Sequence, residues 1–205
     1  VDKVGVFPLA DGSPPTHART MSPSRRLLLA ALLLPLSLVG HACQGAETTP
    51  GAAPEKVQVE ALKLANFHAP TAGVFTAGQP TQEQFARLKE TDVKHVIHLR
   101  AATEKDTGWE EQKAQELGLR FVRLPIEGEK GLTLANVKQF AALLEQSGGE
   151  TTLVSCGSSN RVGALFALKA YWLDGQDAAT ALAAGKAAGM LKLEPKVKEL
   201  LAQPK

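Results

Sequence analysis

The sequence predicts an α/β fold: a mostly parallel central sheet of about four strands flanked by helices. Three observations carry that reading. Short apolar or β-branched runs at residues 74–76 (VFT), 93–99 (VKHVIHL), 119–124 (LRFVRL) and 151–154 (TTLV) alternate with stretches whose apolar residues recur at helical spacing, as in parallel strands joined by helical crossovers. Turn residues punctuate the alternation at Gly78-Gln79-Pro80, Gly118 and Ser147-Gly148-Gly149. Finally, TTLV runs through Ser155 into Cys156-Gly157-Ser158-Ser159-Asn160-Arg161-Val162-Gly163 and then an apolar helix, ALFALKAYWL. A loop so placed lies beyond the C-terminal end of a strand, where open α/β sheets bind their ligands.

From the N-terminus, residues 1–20 have no helical or strand period, and translation is expected to start at Met21, leaving them as an upstream extension. Residues 21–42 have the form of an export signal, with Arg25 and Arg26 before an apolar run at 27–39 and Gly40-His41-Ala42 at the cleavage point. The run is too short for a membrane-spanning helix. Its strong apolarity suits the general secretory route better than the twin-arginine route faintly echoed by Ser24-Arg25-Arg26. The chain is therefore expected to be exported, either periplasmic or a membrane-anchored lipoprotein. Two readings of Cys43 stand side by side: the lipidated first residue of a lipoprotein, which would be the chain's one membrane contact, or an ordinary mature residue. Gly40 stands where lipoprotein signals usually carry leucine. Residues 43–56 read as a flexible tether and residues 57–205 as the α/β domain.

Within that domain, residues 57–70 read as an amphipathic lead-in ending at Pro70, and 74–76 as a strand closed by Ala77 to Pro80. Thr81 caps a helix to about Thr91, with Phe85 and Leu88 facing inward. The strand at 93–99 has Val96-Ile97 as its buried centre. A polar loop (100–107) leads to a helix at 109–117, which Gly118 stops. Residues 119–124 alternate apolar and basic, a strand with one wet face. After the 125–131 loop, Thr133 caps a helix to about Gln146, and residues 177–188 and 194–202 form two closing helices beyond the central strand, loop and helix.

Composition narrows function. With 44% hydrophobic residues, 21% charged and a net charge of +2, the chain is neither disordered nor a polyanion-binding surface, so nucleic acid is not an expected partner. Aromatics at 5% also argue against a base-stacking platform. His95 and His98 are three apart on a strand and face opposite sides. No Cys/His cluster has metal-ligand spacing, and neither metal nor cofactor is expected.

The chemistry concentrates at Cys156. Backbone N–H groups of residues 157–163 converge at the start of a helix whose dipole favours an anion. The same field stabilises a thiolate and makes Cys156 a nucleophile. Arg161 adds a planar guanidinium that can grip an oxyanion through two N–H groups. The competing reading is a buried structural cysteine beside an N-cap serine, with Arg161 solvated. If Cys43 is removed or lipidated, Cys156 has no disulfide partner in an oxidising compartment.

Four separated motifs, Thr76-Ala77-Gly78-Gln79-Pro80, Val96-Ile97-His98-Leu99-Arg100, Leu124-Pro125-Ile126 and Cys156 to Gly163, occur in order. Together they resemble the bacterial beta-lactamase-hydrolase-like phosphatase-like domain, a relative of the dual-specificity and tyrosine phosphatases, across residues 66–175. The resemblance implies a cysteine-phosphatase fold, Cys156 as nucleophile, Arg161 as phosphate clamp, residues 157–163 as the phosphate cradle, and a phosphorylated small molecule or protein as substrate. Such phosphatases carry an acidic proton donor three residues past a proline in the loop after the third strand. Here that position is Gly128, flanked by Glu127 and Glu129, which become the candidate general acids; Glu104 and Asp106 are further substitutes.

The chain departs from this pattern in three places. Gly157, Ser158, Ser159 and Asn160 put four residues between Cys and Arg, where tyrosine phosphatases have five and rhodaneses four. Ser155 stands where a histidine usually precedes the cysteine, and Val162 where a hydroxyl residue usually follows the arginine and helps the thiolate leave. Three expectations follow: a phosphatase acting through a phosphocysteine, a rhodanese-like sulfurtransferase acting through a Cys156 persulfide, or a catalytically weak phosphate-binding module.

Overall fold

Four parallel strands end level with one another, and that alignment positions the site. The computed structural model describes residues 56–203, so the expectations for residues 1–20, for the export signal at 21–42, and for Cys43 with the rest of the tether up to 55 lie outside the described residues. Five strands form one sheet: β1 (His68–Thr71), β2 (Val74–Ala77), β3 (His95–His98), β4 (Arg120–Arg123) and β5 (Thr152–Ser155), in the order β1-β2-β5-β3-β4. β1 pairs with β2 antiparallel; every other pairing is parallel. In this register Ala77 pairs with Ser155, Ser155 with His98, and His98 with Arg123. The loops leaving these four residues therefore open side by side.

β5 is central because its sequence can be dry on both faces. All four of its residues are buried, and Leu153 and Val154 are fully so, burial that stabilises by about 1.5–3 kcal/mol for each such side chain. Leu153 packs on one side with Val96, Ala77, Phe85, Leu88, Val93 and Ala114. Val154 packs on the other with Ile97, Leu99, Val137, Phe140 and Leu165.

Helices cover both faces. α1 (Gln82–Ala86) and α2 (Glu110–Glu116) lie over the Leu153 side, joined by an edge-to-face contact of Phe85 and Trp109 with centroids 5.2 Å apart. α3 (Leu134–Gln146), α4 (Asn160–Trp172), α5 (Ala178–Ala187) and α6 (Glu194–Leu201) build the Val154 side, where Phe140 meets Phe166 edge to face at 5.3 Å. The two caps read from sequence, Thr81 and Thr133, are present, and the structure adds a third at Asp177. Thr81 forms a reciprocal capping box with Gln84, Thr133 accepts from the Asn136 N–H, and Asp177 accepts from the Thr180 N–H.

Two expectations need correction. The lead-in at 57–70 is a 3-10 turn (Val59–Leu62) followed by β1, so the sheet has five strands rather than about four. Pro70 obscured β1, but an edge strand tolerates proline because one side of its ladder is unpaired. The first helix is shorter than 81–91. After Ala86 it tightens into a 3-10 turn (Arg87–Glu90), closed by the Thr91 hydroxyl donating to the Leu88 carbonyl at 2.7 Å.

Candidate active site

Cys156 follows β5 directly and is 1% exposed. Its N–H donates to the Ala77 carbonyl at 3.3 Å, which ties the start of the loop to β2. The loop ends at Ser159, whose φ of +61° gives the left-handed turn that starts α4. A non-glycine residue holds that conformation only with support. Here the Ser159 hydroxyl donates to the Ala188 carbonyl at 3.0 Å. Asn160 Oδ1 accepts from the N–H groups of Leu191 and Leu193 at 2.8 and 3.1 Å. The side chains of Ser159 and Asn160 thus moor the loop to the α5–α6 connection instead of reaching for a ligand.

The expected cradle of residues 157–163 is correspondingly narrower. The Gly163 N–H donates to the Ser159 carbonyl at 2.9 Å, inside the helix, and is not available to an anion. Gly163 is a packing residue: a Cβ there would lie 2.2 Å from the Met190 nitrogen and 2.5 Å from the Gly185 carbonyl. The N–H groups of Asn160, Arg161 and Val162 open α4 and have no acceptor within it. With the loop at Gly157 and Ser158, these carry the positive end of the helix. Val162 itself is fully buried in the core.

Arg161 lies back over this loop, its Nη2 3.6 Å from where a Gly157 Cβ would stand. Nη1 donates to Glu104 Oε1 at 2.8 Å and to the carbonyls of Ile126 and Leu99 at 2.9 and 3.4 Å; Nη2 donates to Glu104 Oε2 at 3.0 Å. The guanidinium is held in its charged form above the ordinary arginine value, first by the hydrogen bonds it donates to Glu104, against burial, and then by the nearby Cys156 side chain. Glu104 is correspondingly acidic, lowered to about 2, chiefly by the Arg161 hydrogen bonds, with burial opposing and with help from Arg100 and the Ala101 N–H. Arg100 Nε donates to Glu104 Oε2 at 2.9 Å. The sequence pattern offers Glu104 only as a substitute proton donor. A carboxylate this acidic is an acceptor, not a donor. Its one sequence signal is the four-residue interval from Arg100.

A cavity of about 600 Å³ opens beside this pair, lined by Ala101, Thr103, Glu104, Pro125, Ile126, Glu127, Gly128 and Arg161. Of the two candidate general acids, Glu127 lines it and Glu129 does not. The left-handed Gly128 between them (φ +46°) turns the chain at that point. Asp106 is also outside the lining. Cys156 is covered from solvent, so the cavity reaches Arg161 rather than the sulfur. Among the described residues, no group of three or more His, Cys, Asp or Glu side chains could hold a metal ion.

On the opposite face of β5, Ser155 is paired with a histidine after all. His98 Nδ1 lies 2.8 Å from Ser155 Oγ, both groups being 1% exposed. Where Ser155 departs from the expected histidine, β3 supplies an imidazole across the sheet. Burial lowers His98 to about 4, against the opposing pull of Glu110, with Arg123, Arg100 and Arg161 adding to the fall. His95, facing the other way, pairs with Glu150 at 2.8 Å.

A parallel sheet whose central strand runs through a cysteine loop into an arginine-bearing helix defines the fold class of the dual-specificity and tyrosine phosphatases. The chain belongs to the family described as DSP-PTPase phosphatase fused to NAD+ kinase, whose model matches residues 56–199, and it is a phosphatase. Among solved structures it is similar to a DUF442 protein of Shewanella putrefaciens CN-32, at 23% identity and a TM-score of 0.57, covering 70% of this chain and 94% of that one. It is also similar to the Siw14 catalytic core (14% identity, TM-score 0.56, 69% and 86% covered). A Neisseria meningitidis Z2491 protein is a third likeness (15%, TM-score 0.54, 65% and 97%). No curated relative matches the chain.

Proposed function

We propose that this phosphatase hydrolyses phosphomonoesters through a phosphocysteine at Cys156. The observation that carries the reading is the Arg161 guanidinium, half-buried beside Cys156 and paired with the Glu104 carboxylate at the edge of the cavity. Cys156 Sγ attacks phosphorus and forms the S–P bond as the bond to the leaving oxygen breaks. Glu127 gives that oxygen its proton. Arg161 and the first N–H groups of α4 hold the non-bridging oxygens. Water then attacks phosphorus, Glu127 takes its proton, and the S–P bond breaks to release phosphate and the thiolate. The four motifs support a narrower placement near the beta-lactamase-hydrolase-like phosphatase-like domains. The apolar run and cleavage pattern at residues 21–42 support export to the periplasm, with Cys43 the residue to test for lipidation.

Residues 47–205 should release phosphate from an aryl phosphate, and Cys156→Ser should abolish release. Equal turnover by the two proteins sinks the reading. The four-residue Cys-to-Arg interval favours one second reading, sulfur transfer through a Cys156 persulfide. It requires thiocyanate from thiosulfate and cyanide, and a single sulfur added at Cys156 by intact mass.

A further inference from the structure

We propose that Glu110 is a positioning residue for the phosphoryl site, anchoring one arm to Arg161 and a second to the residue preceding Cys156. The proposal rests on the reading of Cys156 and Arg161 given above. Glu110 stands in the first turn of α2 and is fully buried. A carboxylate is retained as an ion in such a place only with several donors. Oε2 accepts from the Gly108 N–H and from Arg123 Nη2, and Oε1 from Gln79 Nε2, all at 2.8 Å. Burial pushes Glu110 up, but the hydrogen bonds from Arg123, Gln79 and the backbone outweigh it and leave the group below its ordinary value.

The first arm runs through Gln79. Because Glu110 can only accept, the amide of Gln79 must present its nitrogen there and its oxygen elsewhere. That oxygen accepts from Arg100 Nη1 at 3.2 Å, Arg100 Nε holds Glu104, and Glu104 holds Arg161. The Gln79 N–H also donates to the Gly157 carbonyl at 3.4 Å, inside the cysteine loop.

The second arm runs through His98. Its Nε2 lies 3.7 Å from Glu110 Oε1, beyond hydrogen-bond range, and among the described residues it has no hydrogen-bond partner. A lone pair at Nε2 would face the carboxylate lone pairs, so the proton belongs there, and Nδ1 accepts from the Ser155 hydroxyl. The groups facing this imidazole are Glu110 from α2, Arg123 and the stacked Phe121 ring from β4, Arg100 from the loop after β3, Arg161 from α4 and Ser155 from β5. Glu110 stands at the head of both arms, against Gln79 in one and His98 in the other.

The test follows the rate of Cys156 alkylation by iodoacetamide against pH, with and without inorganic phosphate, beside kcat and KM on an aryl phosphate. Alkylation does not need turnover, so it judges the arms separately from the phosphatase reading, which fails if wild-type turnover does not depend on Cys156. Glu110→Gln should raise the half-protecting phosphate concentration severalfold, shift the pH profile of alkylation, and lower kcat/KM by on the order of 10²-fold through misplacement of the clamp. Val93→Ala, a change in the core cluster outside the hydrogen bonds of both arms, should lower Tm while leaving all of these as in wild type. Gln79→Met cuts the first arm alone. It should weaken phosphate protection without moving the pH profile, and it decides the matter if Glu110→Gln does not fold. Swapping the pair as Gln79→Glu with Glu110→Gln should recover part of the protection. Wild-type protection in Gln79→Met, or a wild-type pH profile and protection in folded Glu110→Gln, overturns the proposal.

Discussion

Glu104 and Arg161 face each other through two parallel hydrogen bonds of 2.8 and 3.0 Å. This fork-to-fork pair puts a carboxylate of the protein on the group assigned to grip the substrate. It orients the guanidinium, and it also competes with any oxyanion for the same donors. Because Glu104 is ionised down to about pH 2, the competition is present throughout the physiological range.

Glu104→Gln is isosteric and removes only the charge. It should tighten inorganic phosphate binding severalfold, read as the phosphate concentration that half-protects Cys156 from iodoacetamide. Weaker binding would show that orientation of Arg161 outweighs competition.

Removing the clamp itself should be more severe. Arg161→Ala leaves the N–H groups of α4 but deletes the fork, and loss of one such oxyanion donor lowers kcat by about 10²–10³-fold. Arg161→Lys should recover little, because an ammonium cannot make the paired contact. Full activity in the lysine variant would deny the clamp its geometry.

The two loop glutamates are separable by leaving group. Glu127→Gln should slow hydrolysis of an alkyl phosphate by about 10²-fold or more, and that of a nitrophenyl phosphate much less, since a good leaving group needs little protonation. Glu129→Gln, outside the cavity, should match wild type on both. The reverse pattern reassigns the proton donor.

Acid should weaken the fold through His98. The imidazole takes its proton at about 4 when folded and near 6.5 when unfolded, so the unfolded chain binds that proton first. The stability in question is complete above pH 6.5 and is lost as pH falls towards 4. Glu104 and Glu110, both held below their ordinary values, extend the loss below about 4.5. Melting temperatures between pH 7.5 and 4 should fall, and His98→Asn should flatten the part between 6.5 and 4. Parallel curves for the two proteins would remove His98 as the cause.

Gly163→Ala tests the packing reading of that glycine. A Cβ 2.2 Å from the Met190 backbone nitrogen forces α4 from the segment after α5, and overpacking of this kind costs about 1–3 kcal/mol. The expected result is a lowered Tm with phosphate protection retained, since the Gly163 N–H serves the helix and not the ligand.

Local chemistry sufficed for much of this protein. Periodicity separates β3, β4 and β5 from the helices around them, because a buried strand and an amphipathic helix need different apolar spacing. Thr81 and Thr133 announce helix starts through hydrogen bonds only three residues away. Cys156, Arg161 and the small residues between them are legible for the same reason, since strand, loop and helix N-terminus are consecutive. What tertiary structure decided is every partnership that spans the chain. Arg161 meets Glu104 across 57 residues, Ser155 meets His98 across 57, and Gln79 meets Glu110 across 31. Nothing local marks Glu110 as buried: a glutamate in a first helical turn is an ordinary favourable placement near the helix dipole. Its burial follows from α2 packing over the sheet, and the choice between Glu127 and Glu129 follows from which side of Gly128 faces the cavity. Those facts belong to the sheet order and register, which set the four strand ends in one row and so determine which distant side chains meet.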